Sequence, residues 1–97
     1  MPFKLIFSPR AAQRLLELEG DQSKQGLFKQ VKKALEFLKE NPRHPSLRTH
    51  KYKEFSEYYG KEVFEAYAQQ NTPGAYRIFF YYSGKEQITI IAITPHP

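Results

Sequence analysis

Glu65, Arg77 and His96 are the side chains of this 97-residue sequence that pair proton-transfer or phosphate-binding chemistry with strand-like surroundings. A carboxylate accepts protons, a guanidinium presents a planar fork that matches phosphate oxygens, and histidine as a residue type exchanges protons near neutrality. Aromatic neighbours Tyr67, Phe79 and Tyr81 offer ring faces on which bases can stack. Upstream, residues 41–61 gather Arg43, His44, Arg48, His50, Lys51, Lys53 and Lys61 against Glu54 and Glu57 alone. Such a segment suits an anionic partner. His44 and His50 read as loop residues. The three histidines lack metal-ligand spacing and cysteine is absent, so neither a metal nor another cofactor is expected.

Whether these side chains meet depends on strand parity. In residues 62–69, Phe64, Ala66 and Ala68 alternate with Glu65, Tyr67 and Gln69. The small and apolar set belongs under helices, which turns Glu65 and Tyr67 to the opposite face. In residues 75–83, Tyr76, Ile78, Phe80 and Tyr82 form one set, and Arg77, Phe79 and Tyr81 the other. Burying Arg77 beneath helices without a partner is expensive, so the second set is expected on an uncovered face beside Glu65 and Tyr67. There Phe79 or Tyr81 can stack bases and Arg77 can hold a phosphate. The same face also reads as the solvated side of an antiparallel sheet, with Glu65 and Arg77 a cross-strand ion pair and His96 part of a frayed tail. Pattern alone leaves both readings open.

The elements that must position these residues are legible in outline. Phe3, Leu5 and Phe7 alternate with polar Lys4 in a half-buried strand. Ser8-Pro9 starts a helix, with a capping hydroxyl and a proline at the first helical position, and Gly20 closes it. Leu27, Phe28, Val31, Leu35 and Leu38 make a second helical stripe, stopped by Asn41-Pro42. Residues 42–61 have no period and read as an ordered basic loop. Turns at Asn71-Thr72-Pro73-Gly74 and Ser83-Gly84-Lys85 separate three later strands, of which residues 87–94 are apolar enough to be central. The expected architecture is α+β, β-α-α-β-β-β: two N-terminal helices on one face of a mainly antiparallel four-stranded sheet, in one domain over residues 1–97.

Composition narrows the class. Eight Phe and seven Tyr are enough for a core in so short a chain. Fifteen Lys and Arg against ten Asp and Glu give a net charge of +5, which favours an acidic partner such as nucleic acid or an acidic protein. No apolar run approaches a membrane span and Met1-Pro2-Phe3-Lys4 lacks the apolar core of a signal peptide. The cytoplasm is the expected address.

The order strand, two helices, Asn-Pro stop, basic segment and β-rich end resembles the RelE/ParE toxin superfamily. Gly74-Ala75-Tyr76-Arg77-Ile78-Phe79-Phe80-Tyr81-Tyr82 is similar to its Tyr-Arg-hydrophobic strand, and Ile93-Thr94-Pro95-His96 to the family's last strand and terminal His or Arg. The resemblance spans essentially the whole chain and implies a bacterial toxin neutralised by a cognate antitoxin protein, with homo-oligomerisation compatible. RelE-like members cleave mRNA, often on the ribosome, by attack of a ribose 2′-hydroxyl on the adjacent phosphate without a metal. Carried over, Arg77 matches the phosphate-stabilising arginine, Glu65 a catalytic carboxylate, and His96 a terminal general acid or base. The basic segment with Arg48, Lys51 and Lys53 is where the RNA backbone is expected, with Tyr67, Phe79 and Tyr81 beside it. RelE itself has two lysines on the strand where this chain has Glu65, and a C-terminal helix with a catalytic tyrosine that has no match here. The resemblance therefore implies a Glu/Arg/His endoribonuclease. The alternatives are a ParE-like gyrase inhibitor and a non-catalytic RNA- or protein-binding member of the same fold.

Overall fold

The alternation at the N-terminus folds as expected into strand β1 (Lys4–Phe7), in a computed structural model that describes residues 2–97. Ser8 caps helix α1 (Pro9–Gly20), its hydroxyl accepting from the Ala11 amide, with Pro9 at the first helical position. Helix α2 (Gln25–Glu40) carries the second apolar stripe and stops at Asn41, before Pro42. The later strands are β3 (Phe64–Tyr67), β4 (Tyr76–Gly84) and β5 (Gln87–Pro95). Strand β5, expected at the centre, is an interior strand flanked by β1 in parallel and β4 in antiparallel pairing, and β4 is the middle strand of the sheet.

The segment read as a loop contains a single 3-10 turn at Pro45–Leu47, a strand and an α-helix. Strand β2 (His50–Lys51) pairs antiparallel with β3, and helix α3 (Lys53–Tyr59) follows it directly. The class is α+β as expected, but the sheet has five strands, in the order β1-β5-β4-β3-β2. A two-residue strand is too short to show a period. Helix α3 is seven residues long. Its inward side is marked by Tyr52, just before the helix, and Phe55, with the exposed Tyr59 edge-on to Phe55 to complete an i, i+3, i+7 spacing, and Gly60 ends it in the left-handed conformation at φ 69°.

The second correction concerns the sheet face assigned to solvent. Strand parity is as read. Ala66, Ile78, Phe80, Ile88, Ile90 and Ile93 pack against Ala11, Leu18, Val31 and Leu38 of α1 and α2. Tyr76 is on that side too, its hydroxyl accepting from Arg14 Nη1 at 2.9 Å. The opposite face is not open. Val63, Phe79, Ile91 and Ala92 form a second core with Tyr52, Phe55 and Tyr81. Phe79 lies 4.7 Å from Phe55 and 5.0 Å from Tyr52, ring centre to ring centre, and is fully buried. Helix α3 is thus a small lid on the middle of the sheet, and the candidate residues lie at its N-terminal end.

Candidate active site

Backbone pairing places the site. His50 of β2 sits opposite Glu65 of β3, which sits opposite Phe79 of β4; two residues along, Tyr67 pairs with Arg77 and Arg77 with Thr94. Glu65 and Arg77 are therefore diagonal neighbours on one face.

His96 reaches that face through a β-bulge. Phe79 pairs with Ala92 while Phe80 pairs with Ile90, which leaves Ile91 as an extra residue in β5. Ile91 and Ala92 both join the core under α3, and alternation then resumes with Ile93 toward α1 and α2. Two residues beyond Thr94, His96 shares the face of Glu65. Were residues 90–96 to alternate regularly with no bulge, it would share the parity of Ile88 and Ile90 and point to the main core side. The tail is tied down: the His96 amide donates to the Ala75 carbonyl at 2.9 Å, extending the β4–β5 ladder past Pro95.

At the centre is the Glu65 carboxyl group, 2% exposed. One oxygen, Oε1, lies 2.7 Å from His50 Nε2, and the other, Oε2, lies 2.7 Å from His96 Nδ1 and 3.5 Å from Arg77 Nε. The two 2.7 Å distances to the imidazoles are those of charge-assisted hydrogen bonds. Both imidazoles are nearly half exposed, at 46%. A buried carboxyl group thus carries two rings that reach solvent.

Arg77 is less open than expected: its side chain is 11% exposed. Its guanidinium carbon lies 3.7 Å from the centre of the Tyr67 ring, and Nη1 donates to the carbonyls of Gln69 at 2.9 Å and Tyr76 at 3.3 Å. Among the described residues, Arg77 Nε is the one buried side-chain nitrogen or oxygen with no hydrogen-bond partner. The cost of burying Arg77 is met by the Glu65 charge, the Tyr67 ring and two carbonyls, which is why this position did not require an open face.

Tyr52 closes the α3 side of the site, its ring edge-on to His96 at 6.2 Å between centres. Burial, then the negative charges of Glu54 and Glu65, push its phenol above the ordinary 10.0. The hydroxyl therefore stays protonated at neutral pH.

The residues read as RNA contacts divide. Arg48, Lys51 and Lys53 are exposed around β2 and the start of α3, with Lys51 in a surface ion pair to Glu62 at 3.3 Å. Tyr81 is half-buried, and Lys61 Nζ lies 4.2 Å from the centre of its ring. Tyr67 is half-buried and carries the Arg77 guanidinium. Phe79 cannot stack a base, because α3 covers it completely. Glu65, Arg77 and His96 come together. His50, read as a loop residue, joins them, and the signal that could have found it is its position at the head of the short stretch preceding the Tyr52, Phe55, Tyr59 helical spacing. Among the described residues no group of three or more His, Asp or Glu side chains is arranged to hold a metal ion.

Neither a family model nor a curated protein sequence matches the chain. Solved structures do. All of it superposes on all of a chain of the YoeB dimer from Staphylococcus aureus, with a TM-score of 0.67 and 15% identity. For the YoeB/ParE toxin from Agrobacterium tumefaciens the TM-score is 0.68 at 10% identity, covering 97% of this chain and 99% of that one. At such identities the likeness is one of fold alone: the chain shares the fold of these YoeB and YoeB/ParE structures.

Proposed function

From a RelE/ParE toxin fold with this cluster on its sheet, we propose that the protein is an endoribonuclease acting on mRNA, the toxin of a toxin–antitoxin pair. The observation that carries the reading is a buried carboxylate holding a solvent-facing imidazole at 2.7 Å, with a guanidinium 3.5 Å away. With Nδ1 bonded to Glu65, His96 presents Nε2 outward as the atom that exchanges protons. The ribose 2′-hydroxyl gives up its proton as its oxygen bonds to the adjacent phosphorus. The bond from phosphorus to the 5′-oxygen then breaks, and that oxygen takes a proton. The products are a 2′,3′-cyclic phosphate and a free 5′-hydroxyl. Both oxygens of Glu65 are engaged, so it serves to orient and polarise His96 in the manner of the acid in a catalytic triad. Arg77, with Nε and Nη1 turned inward, has Nη2 left to meet the extra charge of the pentacoordinate phosphate. The chemistry calls for no metal. Exposed Lys51, Lys53 and Arg48 border the site and suit the RNA backbone.

The purified protein is expected to convert mRNA, with or without ribosomes, into fragments ending in cyclic phosphate. His96→Ala is expected to lower the rate by about 10²–10⁴-fold. Undiminished cleavage by His96→Ala would remove the assignment, and intact message alongside induction of the DNA-damage response would favour a gyrase-directed role instead.

A further inference from the structure

The hydrogen bonds of His50 have a consequence for the whole cluster. Its Nδ1 lies 2.9 Å from the Arg48 carbonyl oxygen, which can only accept, so Nδ1 carries a proton. Its Nε2 lies 2.7 Å from Glu65 Oε1, and one proton must sit between them. If that proton belonged to Glu65, the carboxyl group would be neutral and the buried Arg77 guanidinium beside it would lose its counter-charge. An anionic Glu65 puts the proton on the ring instead. His50 is then an imidazolium, protonated on both nitrogens.

Resting on the nuclease reading above, we propose that His50 is a positioning residue of the site: as an imidazolium it anchors the Glu65 carboxylate by Oε1, which keeps Oε2 turned to fix His96 as the Nδ1–H form. Backbone structure sets this up. Arg48 stands in the left-handed conformation at φ 48°, and that bend presents its carbonyl to the ring two residues on. Register pairing of His50 with Glu65 supplies the other contact. Counting Arg77 and His50 as positive and Glu65 as negative, the cluster holds a net charge of 2 − 1 = +1 before His96 takes a proton. A site for a phosphodiester needs that sign. His50 touches no reacting atom. It acts through Glu65 on His96.

Two measurements on the whole chain test this separately from the nuclease reading. Long-range ¹H–¹⁵N correlation NMR on ¹⁵N-histidine-labelled protein at neutral pH reports the protonation of each ring nitrogen. Wild type is expected to show His50 protonated on both nitrogens and neutral His96 protonated on Nδ1. In His50→Ala, His96 is expected to lose its fixed form and show the mixture of a free imidazole. His50→Gln, which keeps an N–H toward Oε1 without the charge, is expected to restore part of the Nδ1–H preference. In RNA cleavage, His50→Ala is expected to lower kcat by about 10- to 100-fold with KM little changed, and His50→Gln to recover part of that loss. A neutral His50 in wild type overturns the proposal whatever the variants do. So does an unchanged His96 form, or wild-type kcat, in a folded His50→Ala. A wild type that cleaves no RNA refutes the nuclease reading, while the NMR result still decides the role of His50.

Discussion

At the scale of single residues, burial separates groups that can act from groups that only support. Glu65 is buried with both oxygens engaged, whereas His96 is half in solvent. Identity was readable in the sequence for Glu65, Arg77 and His96, and face for Glu65 and Arg77. Exposure was not, because it depends on what covers the face. Parity placed Phe79 correctly beside Glu65 but could not show that Phe55 and Tyr52 lie on top of it. The tyrosines give a test at this scale. Tyr52 and Tyr82 both titrate above 10.0, chiefly through burial; Glu54 and Glu65 add to the effect at Tyr52, while Arg43 opposes it at Tyr82. A phenol whose folded-state value is raised keeps its proton more firmly folded than unfolded, so stability falls as pH rises above about 10. Tyr52→Phe and Tyr82→Phe are expected to flatten that alkaline loss in urea-unfolding midpoints measured between pH 8 and 11 (roughly the range where phenols begin to ionise), with little effect at pH 7.

Among the elements, α3 and the bulge in β5 contribute most to the site, and both were hidden for physical reasons. Helix α3 is held by tertiary contact to Phe79 more than by its own periodicity, and a seven-residue helix is unstable in isolation. Phe79→Ala removes its floor and is expected to cost about 3–5 kcal/mol of unfolding free energy. The bulge changes which face the tail serves, and a run such as Ile90-Ile91-Ala92-Ile93 is apolar on both sides, so its sequence gives no sign of a skipped beat. One glycine inserted between Thr94 and Pro95 turns the following side chain to the other face. We expect that insertion to leave the thermal midpoint nearly unchanged and to cut RNA cleavage as deeply as His96→Ala; cleavage at the parental rate would show that the parity of the tail is unimportant.

For the whole molecule, charge and topology make separate statements. No helix among the described residues is long and apolar enough to cross a membrane. The net charge of +5 predicts binding to RNA that weakens steeply with salt. For single-stranded RNA each lost phosphate contact lowers the slope of log K against log salt by about 0.7, so Lys51→Ala with Lys53→Ala is expected to reduce it by roughly 1.4. An unchanged slope in filter binding would take these two lysines off the RNA path. The fold class and the order of most elements followed from the sequence because they rest on periodicity and turn residues. The sheet order, with the first and last strands side by side, rests on pairing between distant segments that no local pattern records.

Ser8 lies at that junction. Its hydroxyl accepts from the Ala11 amide to begin α1 and donates at 3.1 Å to the carbonyl of Ile91, the bulge residue, 83 positions away. Its amide donates to Ile90 at 2.9 Å. The cap of the first helix and the kink that aims His96 are thus one hydrogen-bonded unit, closed only when the two ends of the chain meet. In kinetic terms this is a late event: joining segments so far apart requires most of the loop entropy to be lost first, and high contact order slows folding. A chain emerging from the ribosome acquires α1 and α2 long before it can bend β5, so the side chains proposed to cut RNA are drawn together last.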